Sequence, residues 1–228
     1  MSKKLYGLLV PVLAVAAFAS MPATSQAAFH FYKCEHFAAA THNRKDIGCT
    51  EATATGNFEL KRLPFTGAFL QVVTWGSLTF TINTMPINTV ITCKVIDAGN
   101  VWNPAGEGSG KDNVEVFVNY ECKSTQCATV SLTAEKLPYE TELGAGPVDK
   151  IKGVQVKSNC AGAEVIFTGE LTPNVVNGTS QQVPTELEFT AGTGVLAGPA
   201  GSGLTAKVEG KDRVEGFEDG EGVQVANP

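Results

Sequence analysis

The most regular feature of the chain is the alternation of apolar and polar side chains over residues 89–97. Ile91, Cys93 and Val95 fall on one face of an extended chain, and Thr92 and Lys94 fall on the opposite face. Successive side chains of a β-strand point to opposite sides, so this spacing predicts a half-buried strand. The cysteine shares the apolar face, and we therefore expect it to point into a core.

The same alternation recurs along the chain and predicts about ten short strands. The predicted ranges are 68–75, 78–82, 89–97, 114–122, 129–143, 150–160, 163–171, 185–190, 204–209 and 223–226. Gly76 and Ser77 predict a tight hairpin turn between the first two strands, and the glycine-rich residues 99–113 predict a loop. No helical period persists beyond about two turns. The pattern favours an all-β fold, an antiparallel β-sandwich, and leaves open whether it forms one domain or two.

The N-terminus has the pattern of a secretory signal peptide over residues 1–27. Lys3 and Lys4 precede the apolar residues 5–19, and small residues flank a predicted cleavage site after Ala27. Residues 28–60 are expected to form a small loop closed by a disulfide between Cys34 and Cys49, and residues 61–228 to form the β-sandwich. We expect a secreted, extracellular protein with no membrane span once the signal is cleaved.

Four further cysteines lie in the predicted sandwich, which suits a chain that oxidises outside the cytoplasm. The preferred pairing joins Cys93 to Cys160 and Cys122 to Cys127, because the first bridge would tie distant strands and the second would close a hairpin end. The alternative joins Cys93 to Cys122 and Cys127 to Cys160. Six cysteines allow fifteen connectivities, so the sequence alone leaves this choice open.

The charge of the chain limits its partners. The formal net charge is −6, and removal of the predicted signal peptide takes away two lysines and no acidic residue, which gives −8. An acidic surface repels the phosphates of nucleic acids and of anionic membranes. We therefore expect no nucleic-acid partner, and the ligand stays unknown, with a cell-envelope component or a polysaccharide as candidates.

Motifs that could carry catalysis are weak. Residues 63–67 match the sortase pattern L-P-x-T-G but lie far from the C-terminus, and residues 192–197 match G-x-G-x-x-A without the helix that a nucleotide site needs. No G-x-S-x-G motif is present, and a Ser-His-Asp triad would have to recruit one of the three histidines, which all lie in one N-terminal segment. The acidic pairs Glu140 with Glu142 and Glu186 with Glu188 are more typical of the wet face of a sheet than of a glycosidase.

The sequence thus predicts no catalytic residue, no cofactor and no metal site. The three histidines, His30, His36 and His42, share one N-terminal segment, but their uniform spacing fits no familiar ligand motif. Whether they bind a metal stays open. The two tryptophans, Trp75 and Trp102, are the candidate ligand-binding aromatics, because β-sandwich modules bind sugars through exposed aromatic rings.

Several short motifs together resemble a group of secreted all-β actinobacterial proteins of unknown function. In chain order they are Cys34, Cys49-Thr50, Gly56-x-Phe58-Glu59, Ile91-Thr92-Cys93-Lys94, Leu137-Pro138-Tyr139-x-Thr141-Glu142-Leu143 and Lys150-Ile151. The resemblance implies a disulfide-bearing β-domain outside the cytoplasmic membrane and implies no catalytic residue. We therefore expect a non-enzymatic structural or interaction protein, with a carbohydrate-binding module and a secreted hydrolase as the alternatives.

Overall fold

A computed structural model describes residues 28–106, 108–179, 184–217 and 220–227, so the predicted signal peptide lies outside the described residues. The described chain forms sixteen β-strands. They are β1 (His30–His36), β2 (His42–Arg44), β3 (Ala52–Gly56), β4 (Phe58–Arg62), β5 (Phe69–Ile82), β6 (Thr89–Trp102), β7 (Lys111–Ser124), β8 (Val130–Ala134), β9 (Tyr139–Leu143), β10 (Asp149–Cys160), β11 (Ala163–Leu171), β12 (Asn174–Val176), β13 (Glu186–Phe189), β14 (Val195–Ala197), β15 (Thr205–Gly216) and β16 (Val223–Ala226). Within the described ranges, no helix has the length and apolarity to span a lipid bilayer.

Eight of these strands close into a barrel. The order around it is β5, β6, β7, β9, β10, β11, β14 and β15, and β15 returns to pair with β5 over eleven residue pairs. All neighbouring strands run antiparallel. The all-β, antiparallel prediction is therefore confirmed, but the core is a closed barrel and not clearly a sandwich. The reason is the long-range pairing of β5 with β15, which no local pattern reports.

Long strands build the barrel wall. β5, β6 and β7 each contain 14 residues, so the predicted turn at Gly76 and Ser77 is absent and β5 continues through it. The predicted loop 99–113 is shorter than expected, because β6 extends to Trp102 and β7 begins at Lys111. The alternation seen in the sequence is confirmed in β6, where Ile91, Cys93 and Val95 are at most 1% exposed.

A second sheet of five strands covers one end of the barrel. Its order is β16, β1, β4, β2 and β3, so the N-terminal segment is a sheet and not the predicted loop. The buried side chain of Asn103 joins this sheet to the barrel. Its Oδ1 accepts a hydrogen bond from the backbone N–H of Phe31 (2.9 Å), and its Nδ2 donates to the carbonyl groups of Phe31 (3.0 Å) and Leu63 (2.8 Å).

The disulfides follow the alternative pairing. Cys34 and Cys49 are joined as predicted, within the N-terminal sheet region. The preferred Cys93–Cys160 and Cys122–Cys127 bridges were wrong, because Cys93 is bonded to Cys122, and Cys127 to Cys160. The physical reason is strand order: β6 and β7 are neighbours, with their two cysteines opposite each other, whereas Cys160 ends β10, which does not pair with β6.

Candidate functional site

The inside of the barrel contains two apolar clusters with polar side chains between them. One cluster includes Val95, Tyr139 and Val208, and the other, next to the five-stranded sheet, includes Val101, Leu143 and Val214. On three strands a polar residue separates members of the two clusters. These residues are Asp97 on β6, Thr141 on β9 and Asp212 on β15. The interior is therefore divided by a polar layer.

Four aspartates belong to this layer, and we call them the aspartate layer: Asp97, Asp112, Asp149 and Asp212. The alternation that places apolar residues inside also places these acids inside. Asp97 continues the inward series of β6, and Asp149 is two residues from the buried Ile151 on β10. Asp97, Asp149 and Asp212 are 8%, 3% and 1% exposed.

A cavity with a volume of about 80 Å³ adjoins the aspartate layer. Three aspartates line it, Asp97, Asp112 and Asp149, together with the hydroxyl-bearing Thr74 and a majority of aliphatic and aromatic side chains. An apolar cavity with a few convergent polar groups is the usual form of a small-molecule site.

The carboxyl groups of the layer have few partners within the protein. Thr74 donates its hydroxyl hydrogen to Asp97 Oδ2. Asp149 Oδ1 and Asp112 Oδ1 are buried without a hydrogen-bond partner, and both carboxyl oxygens of Asp212 share that condition. Buried polar atoms are nearly always hydrogen-bonded, so three such groups at one level of a core require a physical explanation.

Burial and mutual repulsion alter the acidity of these groups. Burial raises the pKa of Asp97 to about 6, against the opposing effect of the Thr74 hydrogen bond. It raises the pKa of Asp149 to about 7, against the opposing effect of the Thr141 hydroxyl, and that of Asp212 to about 8, and the charge of Asp97 adds to both. Burial also raises the pKa of Asp112 well above its ordinary value, as do the charges of Asp149 and Asp97. The layer therefore holds protons near neutral pH.

Gly76 makes room for Asp212. The two residues are opposite each other on β5 and β15, and a Cβ atom on Gly76 would lie 2.4 Å from Asp212 Oδ1 and 1.9 Å from the carbonyl oxygen of Lys211. Any side chain at this position would displace the backbone or the carboxyl group. The glycine that suggested a turn therefore permits close approach of a strand that carries a buried acid.

The two candidate aromatic residues lie on the outer wall. Trp75 is opposite Ile96, and Trp102 is opposite Phe69, so both tryptophans are half-buried on the outside of β5 and β6. Trp102 is six positions further along β6 than Ile96, a distance of roughly 20 Å. The structure therefore places the two rings on one face but not in contact, and neither lines the interior cavity.

The cysteines and histidines do not form a reactive site. All six cysteines are in disulfides. His42 stacks on Phe37 with the ring centroids 3.9 Å apart, while His36 contacts Phe58 and the buried His30 contacts Phe65. Among the described residues, no group of three or more His, Cys, Asp or Glu side chains has the geometry to hold a metal ion.

The acidic pairs noted in the sequence lie outside the barrel and engage lysines. Lys211 bridges Glu186 at 3.2 Å and Glu188 at 3.0 Å, and Lys152 bonds Glu142 at 3.0 Å. Sequence reasoning instead missed the aspartate layer. The sequence contained a signal for this layer. Asp97 and Asp212 each occupy an inward position in a strand whose other inward residues are mostly apolar.

Comparisons with protein families, curated proteins and solved structures find no match to this chain.

Proposed function

We propose that this protein is a secreted, non-enzymatic binding protein that holds a small organic ligand inside its barrel. The observation that carries the proposal is the apolar cavity lined by Asp149, whose buried Oδ1 atom has no hydrogen-bond partner within the protein. Binding sites of this kind fix a ligand by a few polar groups and bury most of its surface against apolar walls. The resemblance to secreted β-proteins of unknown function agrees with this role.

Extracellular location is supported by the three disulfides, which join all six cysteines. Disulfides of this number persist in oxidising compartments and are rare in the cytoplasm. A binding role is preferred to hydrolysis because most of the cavity lining is aliphatic or aromatic, with no serine, cysteine, histidine or lysine among its described residues.

The proposal is tested by filling the cavity. Val114 lines it, whereas Val118 on the same strand is 48% exposed on the outer wall. The Val114→Phe variant should lose binding of small organic molecules in a native mass-spectrometry screen, and Val118→Phe should keep it. A second filling variant, Val208→Leu, guards against misfolding of the first. Equal binding by all three variants would place the ligand outside the barrel.

A glycan-binding role is the second candidate, favoured by the outer wall. Between the two tryptophans lie Asn100, Asn113 and Glu115, and Glu115 Oε1 accepts hydrogen bonds from both amide groups at 2.9 and 3.2 Å. Aromatic rings flanking polar groups on a sheet suit an extended polysaccharide. Quenching of tryptophan fluorescence by cell-wall polysaccharides, lost in Trp102→Ala, would support this role; unchanged fluorescence would remove it.

A further inference from the structure

The interior cavity contains acids and no compensating base. Its described lining includes the carboxyl groups of Asp97, Asp112 and Asp149, and it includes no lysine, arginine or histidine. Asp149 is 3% exposed, and its Oδ1 atom has no hydrogen-bond partner in the protein. A buried carboxylate without a positive partner is unfavourable by several kcal/mol, unless it takes up a proton or a cation.

Nearby cationic side chains are turned away from the cavity. Lys150, next to Asp149, bonds Glu170 on the outer wall at 3.1 Å. Lys111 and Arg213, next to Asp112 and Asp212, are exposed. The strands that carry the layer therefore supply no positive charge to it.

We propose that the ligand held in the barrel is a small organic cation, an amine with an apolar body, whose ammonium group bonds the free oxygens of Asp149 and Asp112. This inference rests on the proposed function, that the interior holds a ligand. The ammonium group donates up to three hydrogen bonds, and the carboxyl oxygens of Asp149 and Asp112 that have no partner within the protein can accept them. The apolar body contacts the aliphatic and aromatic walls, including Leu143, Phe117 and Val223.

A metal ion fits this site less well. No group of three or more potential ligands among the described residues has metal-binding geometry, whereas an ammonium group needs one or two carboxylates. An anionic ligand would be repelled by the carboxyl groups, and a neutral donor could pair with one oxygen but would not balance the charge of an ionised carboxyl group. The chemistry of the lining therefore selects a cation, and the apolar walls select an organic one.

Cation binding should depend on pH. The titratable groups around Asp149 are Asp97 from β6, Asp112 from β7 and Tyr139 from β9, which line the same cavity, and Asp212 from β15 belongs to the same layer, so acids dominate. The amine binds the ionised carboxyl group, and ionisation proceeds as the pH rises through the pKa of Asp149, about 7. Affinity for the amine should therefore rise between about pH 5 and about pH 8.

The test compares three probes of the same chain length by calorimetric titration of the oxidised protein at about pH 8, namely hexylamine, hexanol and hexanoate. Hexylamine should bind about tenfold or more tightly than hexanol, the effect of one charge-assisted hydrogen bond, and hexanoate should not bind. Ammonium chloride alone should bind more weakly than hexylamine, because it lacks the apolar body.

Two variants assign the site. Asp149→Asn should reduce hexylamine affinity to that of hexanol, while Glu140→Gln, which removes an exposed carboxyl group from the outer wall of β9, should leave it unchanged. If Asp149→Asn fails to fold, Asp112→Asn and the pH dependence of the unmodified protein serve instead. Equal affinity for hexylamine and hexanol would overturn the cation proposal and leave the ligand-binding function intact. If none of the three probes binds, and the native mass-spectrometry screen detects no bound molecule, both the cation proposal and the ligand-binding function are overturned.

Discussion

Asp46 and Asp149 are both buried aspartates, but their surroundings are opposite. The carboxyl group of Asp46 accepts hydrogen bonds from the backbone N–H groups of Gly48, Thr50 and Glu51 and from the Thr50 hydroxyl, at 2.7–3.2 Å. Burial acts to raise its pKa, but these bonds outweigh burial and lower it. Asp149 has a free oxygen, and its pKa is raised to about 7.

The comparison separates an acid whose donors the fold supplies from acids that the fold leaves largely without donors. Asp46 lies between β2 and β3, in the segment that the Cys34–Cys49 disulfide joins to β1. The backbone and side chain of this segment supply all the hydrogen bonds that its carboxyl group accepts. The aspartate layer lies inside the barrel with few such donors, although an apolar side chain would suit those positions better. A group that is unfavourable to the fold and points into a cavity is where a ligand is most expected.

The largest expected effect is the loss of the Asp46 carboxylate. The Asp46→Asn variant should lower the free energy of unfolding by about 3 kcal/mol near neutral pH, because an amide cannot accept from all of the N–H groups it faces. The same substitution at Asp149 should leave stability within about 1 kcal/mol or raise it. Urea denaturation of both variants measures the difference. Equal destabilisation would mean that Asp149 is a structural group like Asp46.

A second effect concerns pH. Asp149 and Asp212 bind protons more tightly in the folded protein than in the unfolded chain, so the stability they contribute is complete below about pH 4 and is lost as the pH rises through about 7 and about 8. Each group changes the unfolding free energy by up to about 1.4 kcal/mol per pH unit in that window. Asp46 has the opposite sign, because its lowered pKa stabilises the fold above about pH 4.

Denaturation across this pH range checks the sign, and Asp212→Asn serves as the test variant. It should flatten the loss of stability between about pH 4 and about pH 8 and make the protein more stable at the upper end by roughly 1–2 kcal/mol. A stability that is constant from pH 5 to 8, in the native protein and in the variant alike, would contradict the raised pKa values of the layer.

The smallest effect is expected outside the barrel. Glu140→Gln changes an exposed acid on the outer face of β9 and should alter the free energy of unfolding by no more than about 0.5 kcal/mol. Its melting temperature, measured beside that of Asp149→Asn, gives the baseline for removing one negative charge. A larger change in the free energy of unfolding would show that the stability of these variants depends on net charge and not on the burial of the carboxyl group.

The sequence predicted the all-β class and the inward face of Cys93, because both follow from local alternation. It failed where the chain departs from that alternation. An irregularity between β6 and β7 at Ala98 and Gly99 shifts the register, so Val114 faces inward while Val116 and Val118 are each 48% exposed. A one-residue shift moves every following side chain to the other face.

Closure of the barrel and the disulfide pairing were beyond local reasoning for a different reason. Both depend on which distant strands are neighbours, and β5 meets β15 more than a hundred residues later in the chain. Part of the aspartate layer, by contrast, was predictable. Asp97 follows Ile91, Cys93 and Val95 on the same face, and an acid in such a series signals a buried carboxyl group.

The most direct test of the central claim is a count of the protons released when hexylamine binds. At about pH 7 the Asp149 carboxyl group is partly protonated, so a bound ammonium group should expel a fraction of a proton into the buffer. Calorimetry in buffers of different ionisation enthalpy measures that release, which should disappear in Asp149→Asn. Binding of hexylamine with no proton release in the native protein would contradict the account.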